Sequence, residues 1–227
     1  MWGEFAQLGS AILVILGAIL PVVNPPGDAP LFLRLTHGCD ESTRNKLANH
    51  VAIYSFALLL GSLIFGLFVL RLFGLSVAVV QVAGGAVVCA LGWKLLNDDS
   101  PPIDAAIDPQ RASVAALARS FYPLTMPLTV DPGVMSVAVT IGAHHARVLD
   151  RLAVQLVAAV VGSAIIAVTI LLTYRYAERA ALRIGHRGMN IVVRLSAFIV
   201  LSIGVQIAWN GVKALLQELG IPAAPVQ

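Results

Sequence analysis

A chain of 227 residues with 58% hydrophobic and only 12% charged residues, a mean hydropathy of +0.86 and a net charge of +3 is not built to face water, because a soluble domain carries roughly 25% charged residues. Its few, dispersed basic residues give no footing for a nucleic-acid partner. An outer-membrane barrel is excluded too, since the apolar runs are continuous and lack the alternation over about ten residues that a barrel strand needs. A bilayer core takes about 20 apolar residues per helical crossing, so the length allows about six crossings and the fold class is an all-α membrane protein.

Taken in chain order, the hydrophobic segments cover 5–35, 48–73, 75–96, 118–142, 152–174 and 190–216, six predicted transmembrane helices. The first begins Met1-Trp2-Gly3-Glu4; without a positive n-region it reads as a mature helix rather than a secretory signal. Cys39 falls in a polar loop and Cys89 inside a span, so both are expected as free thiols. Between the third and fourth spans, Asn97-Asp98-Asp99-Ser100-Pro101-Pro102 and the further Asp and Pro residues after it form a solvated linker. The chain then divides into repeat 1 at 1–97, a polar cytoplasmic linker at 98–117, repeat 2 at 118–217 and a short tail at 218–227.

The two halves share a grammar. Pro21, Pro26 and Gly27 of span 1 correspond to Pro127, Pro132 and Gly133 of span 4 at an offset of 106, and Gln81 to Asn97 corresponds more faintly to Arg194 to Asn210 at an offset of 113. Three spans per copy is an odd number, so the second copy enters the membrane from the opposite side, giving two inverted three-helix repeats. Lys and Arg number eleven on the side of loops 1-2, 3-4 and 5-6 and four on the other side. The positive-inside rule therefore puts both termini outside the cytoplasm.

Span 1 contains Pro21, Asn24, Pro25, Pro26, Gly27, Asp28 and Pro30. Proline removes an intrahelical donor and drives the residue before it out of the helical region, so helix 1 is expected to be discontinuous, broken at 24–28, with Asn24 as N-cap and Pro25 at the first helical position. Span 4 repeats the arrangement, broken at 127–133 with Asp131 as cap and Pro132 first. Unwound backbone at membrane depth has to be buried in protein or line a wet cavity, and restarted half-helices aim their N–H groups and positive dipole ends at it. A zwitterionic ligand fits this pattern, its ammonium at Asp131 and its carboxylate at the neutral Asn24 break. Buried acids are costly enough to be functional by default. Asp131 is a helix cap, an ammonium ligand or a proton carrier; Asp28, one turn into its half-helix, can simply offset the dipole.

Thr125, Thr129, Ser136 and Thr140 share span 4 with its break and are candidates to line the cavity, whereas Gln81, Gln206 and Asn210 read as interhelical hydrogen bonds. Arg175, Arg179, Arg183 and Arg187 recur every four residues; they read first as topology determinants whose stems lie along the membrane and second as a face for anionic lipid headgroups. No catalytic or metal-ligating constellation and no phosphate loop occurs in the sequence, so no enzyme, metal or cofactor is expected.

The stretches Asn24-Pro25-Pro26-Gly27-Asp28-Ala29-Pro30-Leu31-Phe32-Leu33, followed by Thr36, and Pro123-Leu124-Thr125-Met126-Pro127-Leu128-Thr129-Val130-Asp131-Pro132-Gly133 resemble the MarC family over nearly the whole chain. The resemblance implies a bacterial or archaeal inner-membrane protein of inverted repeats, related to transporters of small neutral amino acids such as glycine and alanine. It implies a substrate site at Asn24 to Asp28 and Thr129 to Gly133, to which the hydroxyl of Ser136 is added. Family members commonly carry Gly where this chain has Asp131. The expected function is secondary transport of a small neutral amino acid by alternating access, driven by the solute's own gradient or by a coupling ion, proton or sodium. The alternatives are export of another amino acid or small metabolite, and a non-transporting membrane scaffold or regulator.

Overall fold

The computed structural model describes residues 2–36, 38–97, 117–148 and 152–219. The linker expected at 98–117 and the tail expected at 218–227 lie almost wholly outside the described residues. Among those residues every regular element is helical: α1 (Trp2–Val23), α2 (Pro25–Leu35), α3 (Glu41–Leu72), α4 (Val77–Leu96), α5 (Ser120–Thr129), α6 (Pro132–Val148) and α7 (Leu152–Glu218).

Among the described residues five stretches are long and apolar enough to cross a bilayer, or six where α5 and α6, bent by 67° at their break, are counted together as one span. In each of the five, only 22% to 39% of the apolar window is buried inside the protein, so most of the apolar surface faces outward, as lipid-facing helices require. The inward stripes keep helical spacing: Ile15, Ile19 and Val23 on α1, Leu47, Val51 and Leu59 on α3, and Ile166, Ile170 and Tyr174 on α7 meet in one core.

Element ends follow local chemistry. Asp40 precedes α3 and accepts from the Thr43 amide at 3.4 Å. Its hydrogen bonds with Thr43 hold its carboxyl below the usual range, so this cap contributes at neutral pH and is lost as pH falls through the lowered folded-state value. At the other end of α3, Gly74 takes φ +65, which glycine adopts without penalty. The Leu75 amide reaches back to the Leu70 carbonyl at 2.8 Å and the Gly74 amide to that of Arg71 at 3.1 Å, a Schellman stop that satisfies carbonyls the helix leaves open. Ser76 then caps α4, accepting from the Val79 amide at 3.3 Å.

Spans 5 and 6, read from sequence as separate, share the 67-residue helix α7, roughly 100 Å long if straight. It is not straight. Tyr174 bonds Thr129, whereas Val200 and Ile203 reach the neighbouring Leu128 and Asp131; a straight helix would put Tyr174 and Ile203 roughly 45 Å apart. The chain doubles back between its two apolar stretches, Leu152–Arg183 and Arg194–Glu218. The second stretch runs antiparallel to α4 at backbone contact, with Gly92 against Leu201, Gly85 against Gly204 and Ala208, and Gly211 against Ala78 and Val82. Gln206 and Asn210, expected between helices, bond each other at 2.9 Å along the exposed face of α7.

Candidate functional site

The break between α1 and α2 is one residue long, shorter than the expected 24–28. Pro21 and Pro30 are carried inside their helices and Pro25 and Pro26 open α2, where a missing N–H costs nothing. Asn24 alone leaves the helix, in the left-handed region at φ 43, ψ 57, and its side chain makes no capping hydrogen bond. It is a joint rather than a side-chain cap. Its amide completes α1 by donating to the Leu20 carbonyl at 3.0 Å, and its own carbonyl takes the Gly27 and Asp28 amides at 2.9 and 3.2 Å. The Asn24 carboxamide lies over Gly27, where any Cβ would collide with Nδ2. Both amides that follow the prolines are thus spent on the Asn24 carbonyl, which leaves the Asn24 carboxamide as the donor group of this break that lines the cavity.

The second break is longer and built differently. Tyr122 and Met126, each before a proline, are extended at φ near −120, as steric clash with the proline ring demands. The segment is a tandem tetrapeptide, Tyr122-Pro123-Leu124-Thr125 and Met126-Pro127-Leu128-Thr129, a repetition that the reading for paired prolines passed over. Each threonine hydroxyl bonds the carbonyl five residues back: Thr125 Oγ1 donates to the Ser120 carbonyl at 2.7 Å and Thr129 Oγ1 to the Leu124 carbonyl at 2.8 Å. Val130 and Asp131 then stand outside both helices. Asp131 is the side-chain cap foreseen from sequence, its Oδ1 accepting the Val134 amide at 2.7 Å. Ser136 turns onto the Gly133 carbonyl at 2.7 Å and Thr140 onto that of Ser136 at 2.8 Å.

These breaks meet at one cavity. Val22 and Val23 of α1, Asn24, Asp28 of α2, Val88 of α4, Pro127 and Leu128 of α5, Asp131, and Val200 and Ile203 of α7 line it. Of the sequence-predicted site residues, Asn24, Asp28 and Asp131 reach this space. Pro25, Pro26, Gly27, Pro132 and Gly133 shape the breaks behind it, and Thr129 and Ser136 are occupied with backbone carbonyls. The cavity, about 20 Å³ in volume, suits about one water. Asp28 and Asp131 are 4% and 7% exposed and act on each other electrostatically. Asp131 is held by backbone amides; the Asp28 carboxyl makes no hydrogen bond. Among the described residues no basic side chain lines the cavity.

Two functional candidates escaped sequence reasoning, Phe32 and Tyr174. Both are fully buried and their rings stack at 4.3 Å, 16° from parallel, one helical turn beyond Asp28 towards Arg34 and Arg175. Since Thr129 gives its only proton to Leu124, the Tyr174 hydroxyl must donate to Thr129 Oγ1, 2.8 Å away. On the same side Arg44 pairs with Glu178 and Arg175 donates to Asn49 at 3.3 Å. The stacked rings lie between Asp28 and this basic rim along α2 and α7. Thr129→Val removes the hydroxyl and leaves the buried Tyr174 phenol without its acceptor, so a loss of about 1–3 kcal/mol in detergent unfolding is expected. Tyr174→Phe leaves no orphan donor and should cost clearly less; equal losses would refute this order of donation. Cys39, beside the same rim, is free, and burial pushes its thiol up, away from nucleophilic use.

Residues 9–216 match the MarC family of integral membrane proteins. The chain is 28% identical over 211 residues to membrane protein YvbG of Bacillus subtilis, covering 92% of this chain and 98% of that one. It is 27% identical over 224 residues to inner membrane protein MarC of Escherichia coli K12, covering 94% and 97%. A membrane protein of Methanocaldococcus jannaschii is 27% identical over 206 residues, covering 90% and 97%. No solved structure matches the chain.

Proposed function

Since the chain belongs to the MarC family of integral membrane proteins, we propose that it is a secondary transporter that moves a small neutral amino acid, such as glycine or alanine, by alternating access around the two breaks. In this reading the chain is two inverted three-helix repeats with helices 1 and 4 discontinuous, set in the inner membrane with both termini outside the cytoplasm. The observation that carries it is the meeting of one break from each half at a single cavity bearing two buried acids, Asp28 and Asp131. Packing alone does not call for two acids away from water, where each uncompensated charge is expensive. A ligand ammonium at Asp131 compensates one of them. Room for about one water suits a small solute over a bulky one, and it requires the surrounding helices to part before even glycine enters. With the basic rim cytoplasmic, the Phe32–Tyr174 stack shuts the cytoplasmic side of the site, and parting that stack opens it.

Counterflow in proteoliposomes tests this. Vesicles loaded with unlabelled glycine or alanine should take up the labelled amino acid saturably. Activity on bulky amino acids with none on glycine or alanine would reverse the substrate assignment, and flux that does not saturate would indicate a channel.

A further inference from the structure

The two cavity acids are not equivalent, and their difference assigns them separate tasks. Asp131 is locked at the head of α6 by the Val134 amide. Asp28 is 4% exposed, lines the cavity and has no hydrogen-bond donor. The charged and titratable groups that act on it are Asp131, from the α5–α6 joint, and the Tyr174 phenol, from the first stretch of α7; α1, α4 and the second stretch of α7 present only apolar side chains to this cavity. Two carboxylates stand against two half-helix N-termini, each equivalent to roughly half a positive charge, which leaves about one negative charge over. A net-neutral solute does not change that balance. One proton does.

Resting on the transport reading above, we propose that Asp28 is the proton site of the cycle: its carboxylate takes up one proton as the solute enters and gives it up on the other side, while Asp131 remains the ionised cap. A metal cation needs a cage of several oxygens, whereas the cavity has room for about one water and the described residues hold no cluster of three or more His, Cys, Asp or Glu. The Tyr174 hydroxyl, whose proton goes to Thr129, has acceptor capacity to spare, and a protonated Asp28 is the neighbour that acquires a proton to offer.

The experiment uses the full chain in proteoliposomes with the membrane potential clamped, labelled glycine as solute and an internal pH dye. Exchange at equal pH tests the transport reading by itself; with none for glycine or alanine, both that reading and this inference fall. Once exchange is established, an acidic outside by one pH unit should drive accumulation up to about tenfold with acidification of the lumen. Asp28→Asn should abolish the accumulation and the dye signal, and whatever exchange it keeps should be independent of the proton gradient. Asp28→Glu, which preserves the carboxyl, should keep proton-driven accumulation even if Asp28→Asn fails to fold. Accumulation driven by a sodium gradient at fixed pH, proton movement persisting in Asp28→Asn, or a silent dye in the wild type would each overturn the assignment.

Discussion

Gly85→Leu is expected to yield no monodisperse folded protein, and Gly85→Ala to cost about 1–3 kcal/mol or more. A Cβ on Gly85 would meet the Ala208 amide nitrogen, with the Gly204 carbonyl oxygen at 2.6 Å and the Ala208 Cα at 2.8 Å. All three are backbone atoms, so no rotamer change relieves the collision and the helices must move apart. In a bilayer, where no hydrophobic force pulls helices together, that close approach is itself the main attraction. Separation of this pair also disturbs the site, because Gly84, beside it, packs on Pro132 and Gly133, the first turn of the half-helix that Asp131 caps. Ala208→Gly should not rescue Gly85→Ala, since the obstacle is not the Ala208 methyl. Gly61→Ala, with nothing within 4 Å of the added carbon, is the control, expected to be neutral or to gain up to about 1 kcal/mol from helix propensity. Detergent melting and size-exclusion profiles read out the series; a Gly85→Leu protein as stable as Gly61→Ala would mean that α4 and the second stretch of α7 do not pack as described.

How much of this was legible beforehand depends on whether a feature is local. The stops at Asn24 and Asp131 were, because proline acts on its own turn and on the residue before it. Even there the sequence misjudged extent: prolines at the first positions of a helix cost nothing, so the first break shrank to Asn24, and a left-handed asparagine is a joint whose side chain turns over Gly27 instead of capping. The hydroxyls of Thr129 and Ser136 were read as cavity groups because polarity inside an apolar span draws attention; each instead donates to a backbone carbonyl of its own helix. The small residues of α4 meet an antiparallel partner at backbone contact, and that partner became visible only with α7 folded back. Tyr174 carried no sequence signal, being an aromatic residue at the end of an apolar run, and Phe32 stood in the quoted proline-rich stretch without a role of its own; only their stacking joins them.

The second large effect is expected at Asp131, where fold and transport can be separated by one atom. Asn is as good a cap as Asp, and an asparagine Oδ1 in the same place accepts the Val134 amide, now 2.7 Å from Asp131. Asp131→Asn should therefore unfold with wild-type stability. Asp131→Ala should lose about 1 kcal/mol, having left that amide without its acceptor in a site 7% exposed. Transport should order the two variants differently from stability. If the carboxylate meets the ammonium of the solute, removing its charge costs about 2–5 kcal/mol of binding, so Asp131→Asn should raise the half-saturating solute concentration roughly 30-fold or more and sit close to Asp131→Ala in flux while remaining far from it in stability. A cap without a ligand predicts the reverse, with Asp131→Asn exchanging glycine like the wild type at every pH and only Asp131→Ala impaired. Asp131→Gly sharpens the comparison, because glycine caps nearly as well as the polar residues, within a few tenths of a kcal/mol, and carries neither charge nor oxygen. A folded Asp131→Gly protein that still moves glycine would assign ligand recognition to the backbone of the breaks and leave Asp28 as the only acid the cycle requires.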